Sequence, residues 1–154
     1  MVIATLFLIL FIFLFLIWRR NNLSLLEILT IFGFVSTINL NLSDIFIANM
    51  KLLKIDKQQI AFWRLFIYQS FVIPVFIVLF IDLLSKRKAL ISKVSLFIFW
   101  VALLTFLEYV ASWIGIFTFL KWHISWSLIE WTCIVTLAIW CSRFLHYLLE
   151  KGVR

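Results

Sequence analysis

Glycine, proline and charge are all scarce in this chain. Three Gly and one Pro among 154 residues supply too few turn formers for a transmembrane β-barrel, whose strands alternate apolar with polar and turn every ~10 positions. Charged residues make up 14%, against roughly a quarter in a soluble domain, so a water-soluble fold would lack polar surface. Cysteine is limited to Cys133 and Cys141, eight residues apart. That spacing fits neither a C-x-x-C redox pair nor a zinc-finger pattern, and along one helix it is too long for a disulfide. Both are expected to be buried apolar residues. Histidine occurs at positions 123 and 146 alone, on opposite sides of the expected membrane, so the two cannot share a metal. There is no H-E-x-x-H, G-x-S-x-G, P-loop or haem-attachment motif. No cofactor, no metal and no enzyme are expected.

What is present is apolar. Hydrophobic residues account for 66% of the chain, with 18 Phe and 8 Trp, and the mean hydropathy is +1.16. The apolar runs are continuous and long, and in lipid only a helix satisfies its own backbone over such a run. The fold class is therefore all-α, a polytopic transmembrane bundle of about five helices in one integral membrane domain, residues 1–154. The helices fall at about 2–18, 23–50, 60–84, 94–120 and 125–147. The first run, Val2 to Trp18, differs from a signal peptide: it lacks a basic leading segment and a small-residue cleavage site, and Arg19 and Arg20 follow its apolar core. It reads as a retained helix. Pro74 lies inside the third run and frees a carbonyl that a neighbouring helix must satisfy.

The net charge of +7 invites a nucleic-acid reading, but the basic residues lie between apolar runs and form no single basic face. They set topology and meet lipid headgroups instead. Arg19, Arg20, Lys86, Arg87, Lys88, Lys93, Arg143, Lys151 and Arg154 fall on one side; Lys51, Lys54, Lys57, Arg64 and Lys121 fall on the other. The richer side is cytoplasmic by the positive-inside rule. This predicts an outside amino terminus, an inside carboxyl terminus and residence in a cell membrane. The expected partners are the lipid bilayer and either a second copy or another membrane protein, with no nucleic acid.

Ionisable groups inside a bilayer cost roughly 2.5 kcal/mol or more at the centre, so each invites an explanation. At ~1.5 Å per residue, Asp44, Arg64 and Glu130 sit at a common depth, ~10 Å below the outer boundary. This predicts a buried ionic layer in which Arg64 pairs with Asp44 or Glu130. The second helix carries Thr30, Gly33, Thr37, Asn41, Asp44 and Ala48 within about 80° of one another at ~100° per residue. The stripe is either close helix packing or the wall of a wet path. Asn39 and Ser43 on the opposite face predict that this helix is surrounded by protein. The fourth helix carries Thr105, Glu108, Ser112 and Gly115 on one face. Glu108 falls about midway between Val94 and Lys121, near the midplane. There it either holds a proton and bonds to a neighbouring helix, or faces water or a cation. Glu27, Asp82 and Arg143 lie near the cytoplasmic ends, where they snorkel or pair.

Glu108 followed by Gly115, Ile116, Phe117, Thr118, Phe119, Leu120, Lys121 and Trp122 resembles a pattern in uncharacterised small multi-pass membrane proteins of spore-forming Firmicutes. That pattern is an intramembrane Glu, then [Leu/Ile]-[Ile/Phe]-x-aromatic-x-x-Trp; Phe119 stands where the pattern has Tyr. Asp44 ahead of Lys51 and Lys54 matches a second feature, an Asp late in the second helix before a basic loop. The resemblance implies an integral membrane protein of the developing or dormant spore and supplies no mechanism. Two readings stay open: a non-enzymatic component acting by helix packing, and a small transporter or channel subunit with an acidic path for a cation or proton.

Overall fold

The computed structural model describes residues 23–55 and 59–152, and these form an all-helical bundle. Helix α1 spans Leu25–Asp44 and runs into a π-helical turn at Ile45–Asn49. A two-residue strand β1, Leu53–Lys54, follows. Helix α2 covers Gln59–Ile67, a second π-helical turn covers Tyr68–Val72, and helix α3 continues over Ile73–Ser85. Helix α4 is Leu90–Trp113, β2 is Thr118–Phe119, and α5 is Ile124–Gly152. Four continuous helices, Leu25–Asn49, Gln59–Ser85, Leu90–Trp113 and Ile124–Lys151, are long and apolar enough to cross a membrane. The predicted first helix, 2–18, lies outside the described residues.

The four long helices alternate up and down. At one end β1 pairs antiparallel with β2, Leu53 opposite Phe119. At the other, the start of α1 meets the end of α5, where His146 Nδ1 lies 3.4 Å from Glu27 Oε1. The second long helix is the hub. Most of α3 is buried, including Ile73, Val75, Ile77, Val78 and Phe80, and it packs on α1, α4 and α5. The sequence predicts that role for the first long helix, but only every fourth residue of α1 is buried: Glu27, Ile31, Val35, Asn39 and Ser43. One buried line marks a peripheral helix that packs on one side.

Local chemistry explains the ends. Ser24 and Glu27 form a capping box: the Glu27 carboxylate accepts from the Ser24 backbone N–H and hydroxyl, and Glu27 N–H donates to Ser24 Oγ. At the far end of the same side, Lys86 Nζ pairs with Asp82 Oδ2 at 2.7 Å. Helix α4 stops at Trp113, short of the predicted 120. Gly115 adopts φ +79°, its N–H donates to Ser112 O, and Ile116 N–H donates to Ala111 O. This is a Schellman stop, which favours glycine because a side chain is strained in that conformation. Gly115 is thus a terminator and no part of a polar helix face. The released segment folds back as β2. Leu52 O accepts from Leu120 N–H and Lys121 N–H, next to Lys51 in its left-handed φ of 51°. The cysteines are also not the buried pair expected: Cys133 is exposed and Cys141 half-buried.

Pro74 acts as the sequence predicts. It has no N–H to return to the Ser70 carbonyl four residues back, and the hydroxyl of Ser36 on α1 donates to that carbonyl at 2.8 Å. Replacing Ser36 by Ala is expected to destabilise the bundle by about 1 kcal/mol, measured as a lower unfolding midpoint in detergent. Pro74→Ala restores an intrahelical donor, so Ser36→Ala in that background is expected to cost markedly less. Equal costs in both backgrounds would show that the carbonyl does not depend on Ser36.

Candidate functional site

The buried line on α1 changes character along its length. Ile31 and Val35 pack in the apolar core, while Asn39 and Ser43, one and two turns further on, face an internal cavity. The π-helical turn after α2 brings consecutive residues, Tyr68 and Gln69, to the same cavity. A π turn widens the helix by one residue and commonly re-aims side chains at functional sites. Helix α4 contributes Glu108, and α5 contributes the adjacent pair Glu130 and Trp131. Phe46, Leu53 and Phe117 close the side nearest the ribbon. The cavity holds about 20 Å3, room for about one water-sized particle.

Its polar groups are unevenly satisfied. Trp131 Nε1–H donates to Glu108 Oε2 at 2.8 Å. The fully buried Ser127 hydroxyl accepts from Trp122 Nε1–H at 2.7 Å and lies beside the Glu108 carboxylate, to which its own proton is free to point. Gln69 Nε2–H donates to Ser43 Oγ. By contrast, Asn39 Nδ2, Tyr68 Oη and Gln69 Oε1 are buried with no hydrogen-bond partner among the described residues. Ion pairs among the described residues sit at the opposite end of the bundle, on Asp82, Glu27 and Glu150. Among the described residues, neither cavity carboxylate therefore makes an ion pair with a protein cation.

Of the residues the sequence singles out, the structure brings together Glu108 and Glu130. It does not bring Asp44, Asn41 or Thr37 to them. These three are exposed, on the side of α1 away from Asn39 and Ser43. Thr37 Oγ1 donates to Gly33 O and Asn41 Nδ2 donates to Thr37 O, so the stripe satisfies itself along its own helix. Arg64 is half-buried with Nε unpartnered, and it lies within ion-pair distance of neither Asp44 nor Glu130. In place of the predicted Arg64 ionic layer, the structure brings together two acids that pair with no cation among the described residues. Equal depth did not imply equal azimuth. Tyr68, Gln69 and Trp131 went unnoticed as site residues. A heptad-like reading of α5 would have placed Trp131 near Trp122's partner face, but nothing in the sequence announces the π turn that turns Tyr68 and Gln69 inward.

Comparison with protein-family models, curated proteins and solved structures yields no match.

The indole bond to Glu108 is testable directly. Trp131→Phe keeps the ring and removes the donor, and is expected to lower the unfolding midpoint in detergent by roughly 5 °C. Trp113→Phe, at an 89% exposed position, should leave the midpoint unchanged. A Trp131→Phe protein as stable as wild type would mean that the bond contributes nothing.

Proposed function

We propose that this chain is a non-enzymatic multi-pass protein of the cell membrane that holds a small cation or a proton between Glu108 and Glu130, as a carrier or channel subunit. The single observation that carries the reading is the sharing of one partly open cavity by two carboxylates, Glu108 buried and Glu130 half-buried, with no cationic partner among the described residues. Buried negative charge costs several kcal/mol per ion unless it is compensated. Trp131 offsets part of that at Glu108; Glu130 has no such donor among the described residues. A cation or proton supplies the missing compensation, and Tyr68 Oη and Gln69 Oε1 offer further oxygen ligands. The volume of about 20 Å3 favours a single ion over any organic substrate. Membrane residence is supported by large apolar side chains turned outward, among them Ile91, Trp113 and Trp140, which bilayer lipid would cover. With the predicted helix at 2–18 the protein has five spans, amino terminus outside and carboxyl terminus inside.

Purified protein in liposomes should carry H+, Na+ or K+ faster than protein-free liposomes. Glu108→Gln and Glu130→Gln should each reduce that flux about tenfold or more, as expected when one of two charges facing a cation is removed. Asp44→Asn should leave it intact. Wild-type liposomes no leakier than empty ones to all three ions would sink the reading.

A second reading, a component that acts by helix packing with itself or a membrane partner, is favoured by the exposed stripe Thr30, Gly33, Thr37 and Asn41 on α1. Small residues of this kind let helices approach closely in lipid. A Cβ added at Gly33 meets nothing within 4 Å, so Gly33→Leu should fold as a monomer. If α1 is a contact face, that variant shifts the crosslinked species from oligomer to monomer. An unchanged crosslinking pattern would exclude this face.

A further inference from the structure

At the end of the bundle opposite the ribbon, a second cavity of about 150 Å3 opens between the last turn of α3, the first turn of α4 and the middle of α5. It has the opposite charge. Lys93 from α4 and Arg143 from α5 both line it, with Ser85 and Ser142. Ser85 Oγ–H already donates to Asp82 O, so the free donors are Lys93, Arg143 and the Ser142 hydroxyl. Among the described residues no carboxylate lines the cavity, and neither Lys93 nor Arg143 makes an ion pair. The inner wall is aliphatic, formed by Ile81, Leu84 and Ile139.

Two cations brought together from different helices repel unless an anion lies between them. A guanidinium and an ammonium with a hydroxyl match the oxygens of a phosphodiester. The volume, about five waters' worth of liquid, accommodates that group. The surroundings decide between a dissolved anion and a lipid. Trp140 and Phe144 on α5 and Val94 on α4 are 72%, 62% and 49% exposed, and each directly follows a residue of the cavity: Ile139, Arg143 and Lys93. They form an outward apolar surface on which acyl chains can lie while the phosphate enters the cavity. Inorganic phosphate gains nothing from that surface. We infer that this cleft is a binding site for an anionic phospholipid, with Lys93 and Arg143 holding the headgroup phosphate and the α4–α5 surface holding the chains.

The inference is independent of the acidic cavity and is tested on the full chain in neutral detergent, with the unfolding midpoint followed during additions. Phosphatidylglycerol should raise the midpoint, and phosphatidylcholine and inorganic phosphate should not. Lys93→Gln and Arg143→Gln should each weaken the half-maximal phosphatidylglycerol concentration about fivefold, the effect of one basic residue at an anionic surface. Lys93→Arg, which keeps the charge, and Lys88→Gln, an exposed lysine outside the cleft, should respond as wild type. Inorganic phosphate as effective as phosphatidylglycerol would overturn the lipid assignment. A phosphatidylglycerol response that survives both Gln variants unchanged would overturn the site.

Discussion

A polar atom buried among aliphatic side chains has only other protein atoms to bond to, and an unmade bond there costs the full desolvation of the group. In a chain with 14% charged residues and 66% hydrophobic ones, each buried polar atom constrains the packing around it. The Ser70 carbonyl released by Pro74 requires Ser36, which fixes α1 against the second long helix. The Glu108 carboxylate requires Trp131, which fixes the rotation of α5 against α4. These two contacts join helices that aliphatic packing alone would leave free to rotate, because Leu, Ile and Phe accept many azimuths at little cost. They also define the cavity, since Asn39, Tyr68 and Glu130 are carried inward by the same rotations.

The cavity is coupled to the ribbon above it. Trp122 follows β2 directly and donates to Ser127, which stands beside Glu108. Its ring also packs edge-on against Phe46 at 4.8 Å, and Phe46 is itself part of the cavity wall. Leu53 and Phe117 link the wall to the paired strands. The Glu108 carboxylate and the position of the ribbon are therefore connected through one indole and one hydroxyl. A change of charge in the cavity acts on groups that hold the ribbon in place.

Much of the architecture was legible in the sequence because long apolar runs leave few alternatives. The runs 23–50 and 60–84 fall within about two residues of the observed helices, and the carbonyl freed by Pro74 does find a neighbouring helix. Glu108 was legible as a candidate for the same reason, since an acid in the middle of an apolar run is expensive wherever it points, and it does line the cavity. What was illegible is direction. Asp44 and Asn41 share a helix with Asn39 and Ser43 and differ from them only in azimuth, and composition does not say which face of a helix meets protein. Gly115 sits in an apolar run that reads as helix through Leu120; its role as a terminator depends on φ +79° and on two backbone hydrogen bonds that no residue type specifies uniquely. The ribbon inherits that illegibility, because Leu53 and Phe119 pair only once α4 has ended.

Charge of both signs surrounds the acidic cavity, and magnitude decides which sign governs what occupies it. Lys51, Lys54 and Lys121 are exposed at the ribbon end, within the same region as the cavity mouth. In water two unit charges 4 Å apart interact by about 1 kcal/mol, and at an effective dielectric of about 20 by about 4 kcal/mol. Salt further screens the exposed amines over a Debye length of about 8 Å at physiological ionic strength. Glu108 and Glu130 act in a more buried, less solvated setting, so their field is several times stronger per charge at the cavity centre than that of the lysines. On the proposed reading, the rim would slow the approach of a cation without reversing the preference of the site. An anion drawn to the rim would meet, one layer further in, two carboxylates and no cation, and would gain nothing by entering.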